Sequence, residues 1–150
     1  MNWGVEDFVA AGVLLAGVAG CFLLARRWWS SPAYLAGLAI AVGAGLVTIW
    51  VSLAVGIIGA EGNPANLIYA AVILVAAGGA ALSRLEAGGM SRAMLAAAGV
   101  QAAACCLAMA VTAEQGAGFG TVAAFNILLL MVFLVSAGLF GFQARQARPA

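Results

Sequence analysis

Four residues in close succession carry the most varied side-chain chemistry in this sequence. They are Glu61, Asn63, Asn66 and Tyr69, within the segment VGIIGAEGNPANLIY that runs from Val55 to Tyr69. A carboxylate, two amides and a phenol placed together could bind a polar solute or a partner's backbone. Simpler uses compete with that reading. Asn63 is a favoured helix N-cap, and Pro64 suits the first helical position. Glu61 lies just before that helix, whose N-terminal dipole favours an acid. Asn66 follows Asn63 by three residues and Tyr69 follows Asn66 by three, so all three can share one side of a helix. A cap needs only Asn63. The expectation taken forward is a polar cluster of Glu61, Asn63, Asn66 and Tyr69 on the outer face, with a role beyond capping.

Other chemistry is thinly provided. The chain has no histidine, which removes a common metal ligand and the usual general base. Cys105 and Met109 are four residues apart and offer soft sulfur on one helix face, with Cys106 directed elsewhere. Core packing by adaptable side chains explains them as well. Cys21, Cys105 and Cys106 all lie in apolar runs, which is not a disulfide framework. Ser52 and Ser136 have no basic or acidic residue at their depth. Asn63-Pro64-Ala65 spells the NPA triplet of aquaporins, but such pores use two triplets, each opening a half-helix. Here there is one, and its apolar run reaches Ser83, long enough to cross a bilayer. The expectation is no catalytic residue, no metal and no cofactor.

The elements that position these residues are apolar almost throughout. Of 150 residues, 66% are hydrophobic and 7% charged, against about 25% charged in a typical soluble domain. Mean hydropathy is +1.14. A net charge of +1 leaves no basic face for nucleic acid. Five apolar runs stand out: Phe8–Ala25, Ala33–Gly59, Leu67–Ser83 (full length if Pro64 begins the helix), Ala93–Thr112 and Thr121–Phe142. A hydrocarbon core about 30 Å thick needs about 20 helical residues, and backbone in lipid must be bonded within helices or a closed barrel. The predicted fold class is all-α, an integral membrane bundle of about five transmembrane helices in one domain, residues 1–150. The second run is long for a span, which predicts tilt or unwinding at one end.

No charge falls inside any run. Arg26 and Arg27 follow the first, Arg84 and Arg92 bracket the loop before the fourth, and Arg145 and Arg148 follow the fifth. Alternating spans put all of these on one side. Glu6, Asp7, Glu61 and Glu114 fall on the other, with Glu86 the exception. The positive-inside rule then predicts an outside N-terminus and a cytoplasmic C-terminus. Acids before the first run and arginines after it reverse the order of a cleaved signal peptide, so a retained span is expected. Trp3 and Tyr69 are expected at the outer headgroup level, and Trp28, Trp29 and Tyr34 at the inner one. Trp50 falls within the second run.

Thr48, Ser52, Gln101, Asn126 and Ser136 are the polar residues within spans, and they are expected to make helix–helix hydrogen bonds. Small residues at four-residue spacing predict close helix contacts at Gly12, Ala16 and Gly20, at Gly37, Ala41 and Gly45, and at Ala137 and Gly141.

Trp3 with Glu6-Asp7-Phe8, then Trp50-Val51, then VGIIGAEGNPANLIY, resembles an uncharacterised family of small multi-spanning inner-membrane proteins from proteobacteria. That family commonly has Asn where Ser52 stands, and Glu-Asp-Asn where Glu61-Gly62-Asn63 stands. The resemblance implies a bacterial inner membrane and brings no activity with it. The function expected is that of a non-enzymatic membrane protein, self-associating or an accessory subunit of a membrane complex. The alternative is an oligomeric transporter or channel for a small neutral solute or a lipid. The expected partners are the lipid bilayer and either a second copy or another membrane protein.

Overall fold

The computed structural model describes residues 12, 16–23, 26–27, 31–54, 57–58, 63–115 and 118–147. All the secondary structure among them is helical. Helix α1 is described over residues 16–23. Then come α2 (Pro32–Ala54), a 3-10 turn (Pro64–Asn66) leading into α3 (Leu67–Leu82), α4 (Ala87–Gln115) and α5 (Phe119–Gln146). Four helices, α2 to α5, are long and apolar enough to cross a membrane, α3 counted together with its 3-10 turn. This is the all-helical membrane bundle that the composition requires. Much of the run Phe8–Ala25 lies outside the described residues, as do Trp3, Trp28 and Trp29.

The boundaries differ from the apolar runs in an instructive way. Helix α2 is described to Ala54, and Ile57 and Ile58, short of Gly59, lie outside any helix and are buried in the bundle. Helices α4 and α5 overrun the apolar stretches and include Arg92 and Arg145. Hydropathy marks the lipid slab, not the helix end. An arginine can continue a helix while its long stem carries the charge to the interface.

Helices α4 and α5 pack against each other most extensively, α3 lies on α4, and α2 lies on α5. Helices α2 and α3 meet only narrowly. They touch where a Cβ on Gly45 would sit 3.7 Å from Ile73 Cδ1. The turn between α3 and α4 carries Arg84 and Leu85 in left-handed conformations, φ 50° and 61°. That turn is tied down. Leu85 N–H donates to Ala80 O at 3.1 Å, and Tyr34 Oη donates to Leu85 O at 2.6 Å. Tyr34 is thus not a headgroup anchor. It is fully buried, with its ring edge-on to Phe140 at 5.0 Å. Ser136 Oγ donates to Gly37 O at 2.8 Å and joins α5 to α2. Ser91 Oγ donates to Ala137 O at 2.9 Å and joins α4 to α5.

Two of the small-residue stripes lie in helix contacts. A Cβ on Gly37 would lie 3.3 Å from Leu139 Cβ, and one on Gly141 would lie 3.2 Å from Ser91 Oγ. Gly12 and Gly20 have nothing within 4 Å. The closest approach between two helices was not among the stripes. A Cβ on Gly79 would fall 2.6 Å from Ala93 Cβ, where α3 crosses α4. Glycine inside a helix ordinarily costs about 0.5–1 kcal/mol relative to alanine. At Gly79 the clash should win, and Gly79→Ala is expected to destabilise by about 1–3 kcal/mol. Gly43→Ala, with nothing within 4 Å, should keep the helix gain. Thermal unfolding in detergent separates the two, and equal shifts would mean that α3 and α4 do not approach here.

Candidate functional site at the α2–α3 corner

The corner joining α2 to α3 is built from the sequence upward by two asparagines with different jobs. Asn63 is the N-cap, with extended backbone (φ −71°, ψ 121°), and its Oδ1 accepts from Ala65 N–H at 3.0 Å. Pro64 follows at the first helical position and fixes φ without losing a needed donor. This half of the corner is as the capping rules predict.

Asn66 turns the other way. Its Oδ1 accepts from Ile57 N–H at 3.1 Å and from Ile58 N–H at 2.8 Å, and its Nδ2 donates to Ile58 O at 3.4 Å. It is buried, and it gives α3 no side-chain cap. A short side chain thus meets the backbone N–H groups of Ile57 and Ile58, which lie outside any helix. Ile57 and Ile58 are driven inward by the same arrangement and pack with Tyr69, Ala104 and Ala108. Glu61 lies outside the described residues, as do Gly56, Gly59 and Gly62.

Tyr69 leaves the surface altogether. It is 1% exposed, and its Oη donates to Asn126 Oδ1 at 2.8 Å. Gln101 Nε2 donates to the same oxygen at 3.0 Å, while Asn126 Nδ2 donates to Val122 O at 2.9 Å. One amide on α5 thus ties α3, α4 and α5 together beneath the corner. The bonds also fix its orientation, because a flipped Asn126 amide would set its oxygen against Val122 O and its NH2 against Gln101 Nε2. Asn63, Asn66 and Tyr69 accordingly do three separate things, and Glu61, the fourth residue of the expected cluster, lies outside the described residues. Gln101 and Asn126 make the helix–helix hydrogen bond expected of them, but their link to Tyr69 was not foreseen. Their signal was available: they are the only two amide side chains inside the apolar runs.

Asn63, Asn66 and Tyr69 do share one boundary. With Thr48 and Ser52 they line a cavity of about 700 Å3 that opens between α2 and α3. Thr48 Oγ1 donates to its own helix at Ala44 O, 2.7 Å away. Ser52 Oγ is buried and has no hydrogen-bond partner. The rest of the wall is apolar, including Leu67, Ile73 and Leu74. No group of histidine, cysteine or acid suited to a metal occurs among the described residues. No protein family, curated protein or solved structure matches this chain.

Proposed function

We propose that this is a non-enzymatic membrane component that acts by association, with itself or as an accessory subunit of a membrane complex. One observation carries the reading. The polar groups inside the described helices serve mostly to join helices: Tyr69 and Gln101 to Asn126, Ser136 to Gly37 and Ser91 to Ala137. Interhelical bonds of this kind act as glue in lipid. They leave few polar groups to line a path or to perform chemistry. The second reading is lipid or neutral-solute handling by an oligomer, and the cavity between α2 and α3 favours it.

The membrane is proposed to be a bacterial inner membrane, crossed five times, with the N-terminus outside and the C-terminus cytoplasmic. Support comes from Arg84, Arg92 and Arg145, which belong to one end of the helix bundle, opposite the corner.

Purification in mild detergent at native expression tests the proposal. The chain should run above its monomer mass or carry a reproducible membrane-protein partner, and a lone monomer would defeat it. In the same cells, a single cysteine at Gly118 should react with an impermeant thiol reagent from outside, and one at Gly88 should not. The opposite pattern would reverse the orientation.

A further inference from the structure

A charged side chain on a membrane helix must reach the surface or a counter-ion. Helix α4 carries Arg92 near its start, and α5 carries Arg145 next to its last residue. Both are exposed. The contact between the two helices fixes how they stand. A Cβ on Gly88 would lie 3.9 Å from Ala144 Cβ, and one on Gly141 would lie 3.2 Å from Ser91 Oγ. Arg92 follows Gly88 by four residues, and Arg145 follows Gly141 by four. Each is therefore turned about 40° past a residue in the contact. In antiparallel helices that equal turn brings both arginines to the same side of the pair. Cα–Cβ bonds tilt towards the N-terminus of their own helix. Arg92 thus leans towards the membrane surface and Arg145 towards the bilayer middle, which is towards one another. Arg92 stands about 6 Å deeper than Gly88, an offset that two arginine side chains can close on one anion.

A guanidinium pairs bidentately with a carboxylate or a phosphate. No carboxylate is placed to serve. Glu86 is the only acid described at this end, and six residues before Arg92 it falls about 120° away around the α4 axis. The undescribed residues that adjoin this end in sequence, 24–25, 28–30 and 148–150, contain no acid. Towards the bilayer middle the surface turns apolar within one turn of each arginine. Leu95 and Phe142 are 52% and 55% exposed. Paired cations standing directly above exposed apolar side chains match a phosphate that carries acyl chains, and basic sites between helices hold anionic headgroups in this way. A free anion would leave the apolar part of the surface unused.

We propose that Arg92 and Arg145 hold the phosphate of one net-anionic phospholipid from the leaflet at this end, with an acyl chain lying past Leu95 and Phe142. The site depends on the α4–α5 contact alone and requires neither self-association nor transport.

Native mass spectrometry of the full chain, delipidated and then titrated with each lipid, tests this. The wild type should retain phosphatidylglycerol about fivefold better than phosphatidylcholine, whose choline already neutralises its phosphate. Arg92→Gln and Arg145→Gln should each cut that preference about threefold. Both side chains are exposed, so neither substitution disturbs packing. Arg84→Gln is the control. Arg84 is exposed at the same end, in the turn between α3 and α4, and its loss should leave the preference unchanged. An unaltered preference in both Arg92→Gln and Arg145→Gln would overturn the proposal. An equal loss in Arg84→Gln would also overturn it, because net charge alone would then explain the binding. Inorganic phosphate titrated by itself should leave no adduct, and an adduct that Arg92→Gln abolishes would assign the pair to a free anion instead. A photoreactive side chain at Ala96, exposed one turn deeper than Arg92, identifies the occupant in irradiated cell membranes. A lipid adduct supports the site, whereas a crosslink to this chain's own residues 1–30, to a second copy or to another protein overturns it.

Discussion

Asn126→Ala is expected to destabilise the bundle by about 2–4 kcal/mol. Asn126 accepts from both Tyr69 and Gln101 and donates to Val122 O. Interhelical hydrogen bonds in membranes average only about 0.6 kcal/mol, so the pair bonds alone fall short of that figure. The larger part is the stranding of two donors. Tyr69 and Gln101 are 1% and 0% exposed, and Gln101 Oε1 already lacks a partner. Removing the shared acceptor leaves a phenol and an amide unmet in a low-dielectric interior, at about 1–3 kcal/mol each before relaxation. Tyr69→Phe removes one donor and strands nothing, so about 0.5–1.5 kcal/mol is expected. The double substitution should cost less than the sum, because the two singles destroy the same bond. Unfolding in mixed micelles with increasing dodecyl sulfate measures all three. Additive effects, or Asn126→Ala no worse than Tyr69→Phe, would show that the network is not shared.

The second large effect concerns the corner. Asn66→Ala is expected to cost about 2–4 kcal/mol, since it strands the buried amides of both Ile57 and Ile58. Asn63→Ala removes one cap bond and should cost about 0.5–2 kcal/mol. Local rules rank these two the other way, because they recognise a cap at Asn63 and see a spare polar group at Asn66. Asn66→Asp keeps an accepting oxygen for the two N–H groups and loses the 3.4 Å donation to Ile58 O, so it should recover part of the loss. Melting of the three variants in one detergent decides the order. Asn63→Ala as the more damaging change would mean that the segment at Ile57 and Ile58 is not held by Asn66.

The class of this protein was legible in its residues alone, and the reason is solvent. With 66% hydrophobic and 7% charged residues in long continuous runs, the chain is expected to be helical in lipid, because no water is there to satisfy an open backbone and barrel strands are short and alternating. The cap at Asn63 and Pro64 was legible too, since a cap is made by neighbours in the chain. So were the contacts at Gly37 and Gly141, whose small side chains stand where a partner helix must come close. What could not be read was every bond between residues far apart in sequence. Tyr34 and Tyr69 have the composition of headgroup anchors, and only the packing of α2 and α3 against their neighbours turns them inward to Leu85 and Asn126. Asn66 has the spacing of a surface cluster, and only the approach of the Ile57 and Ile58 backbone makes it a clamp. Gly79 lies in no stripe, yet its crossing with Ala93 is the tightest between helices because two separate helices happen to meet there. Sequence spacing specifies which face a residue occupies on its own helix. Which neighbour that face meets is decided by how the helices pack, and at this corner that packing assigned Asn63, Asn66 and Tyr69 three different tasks.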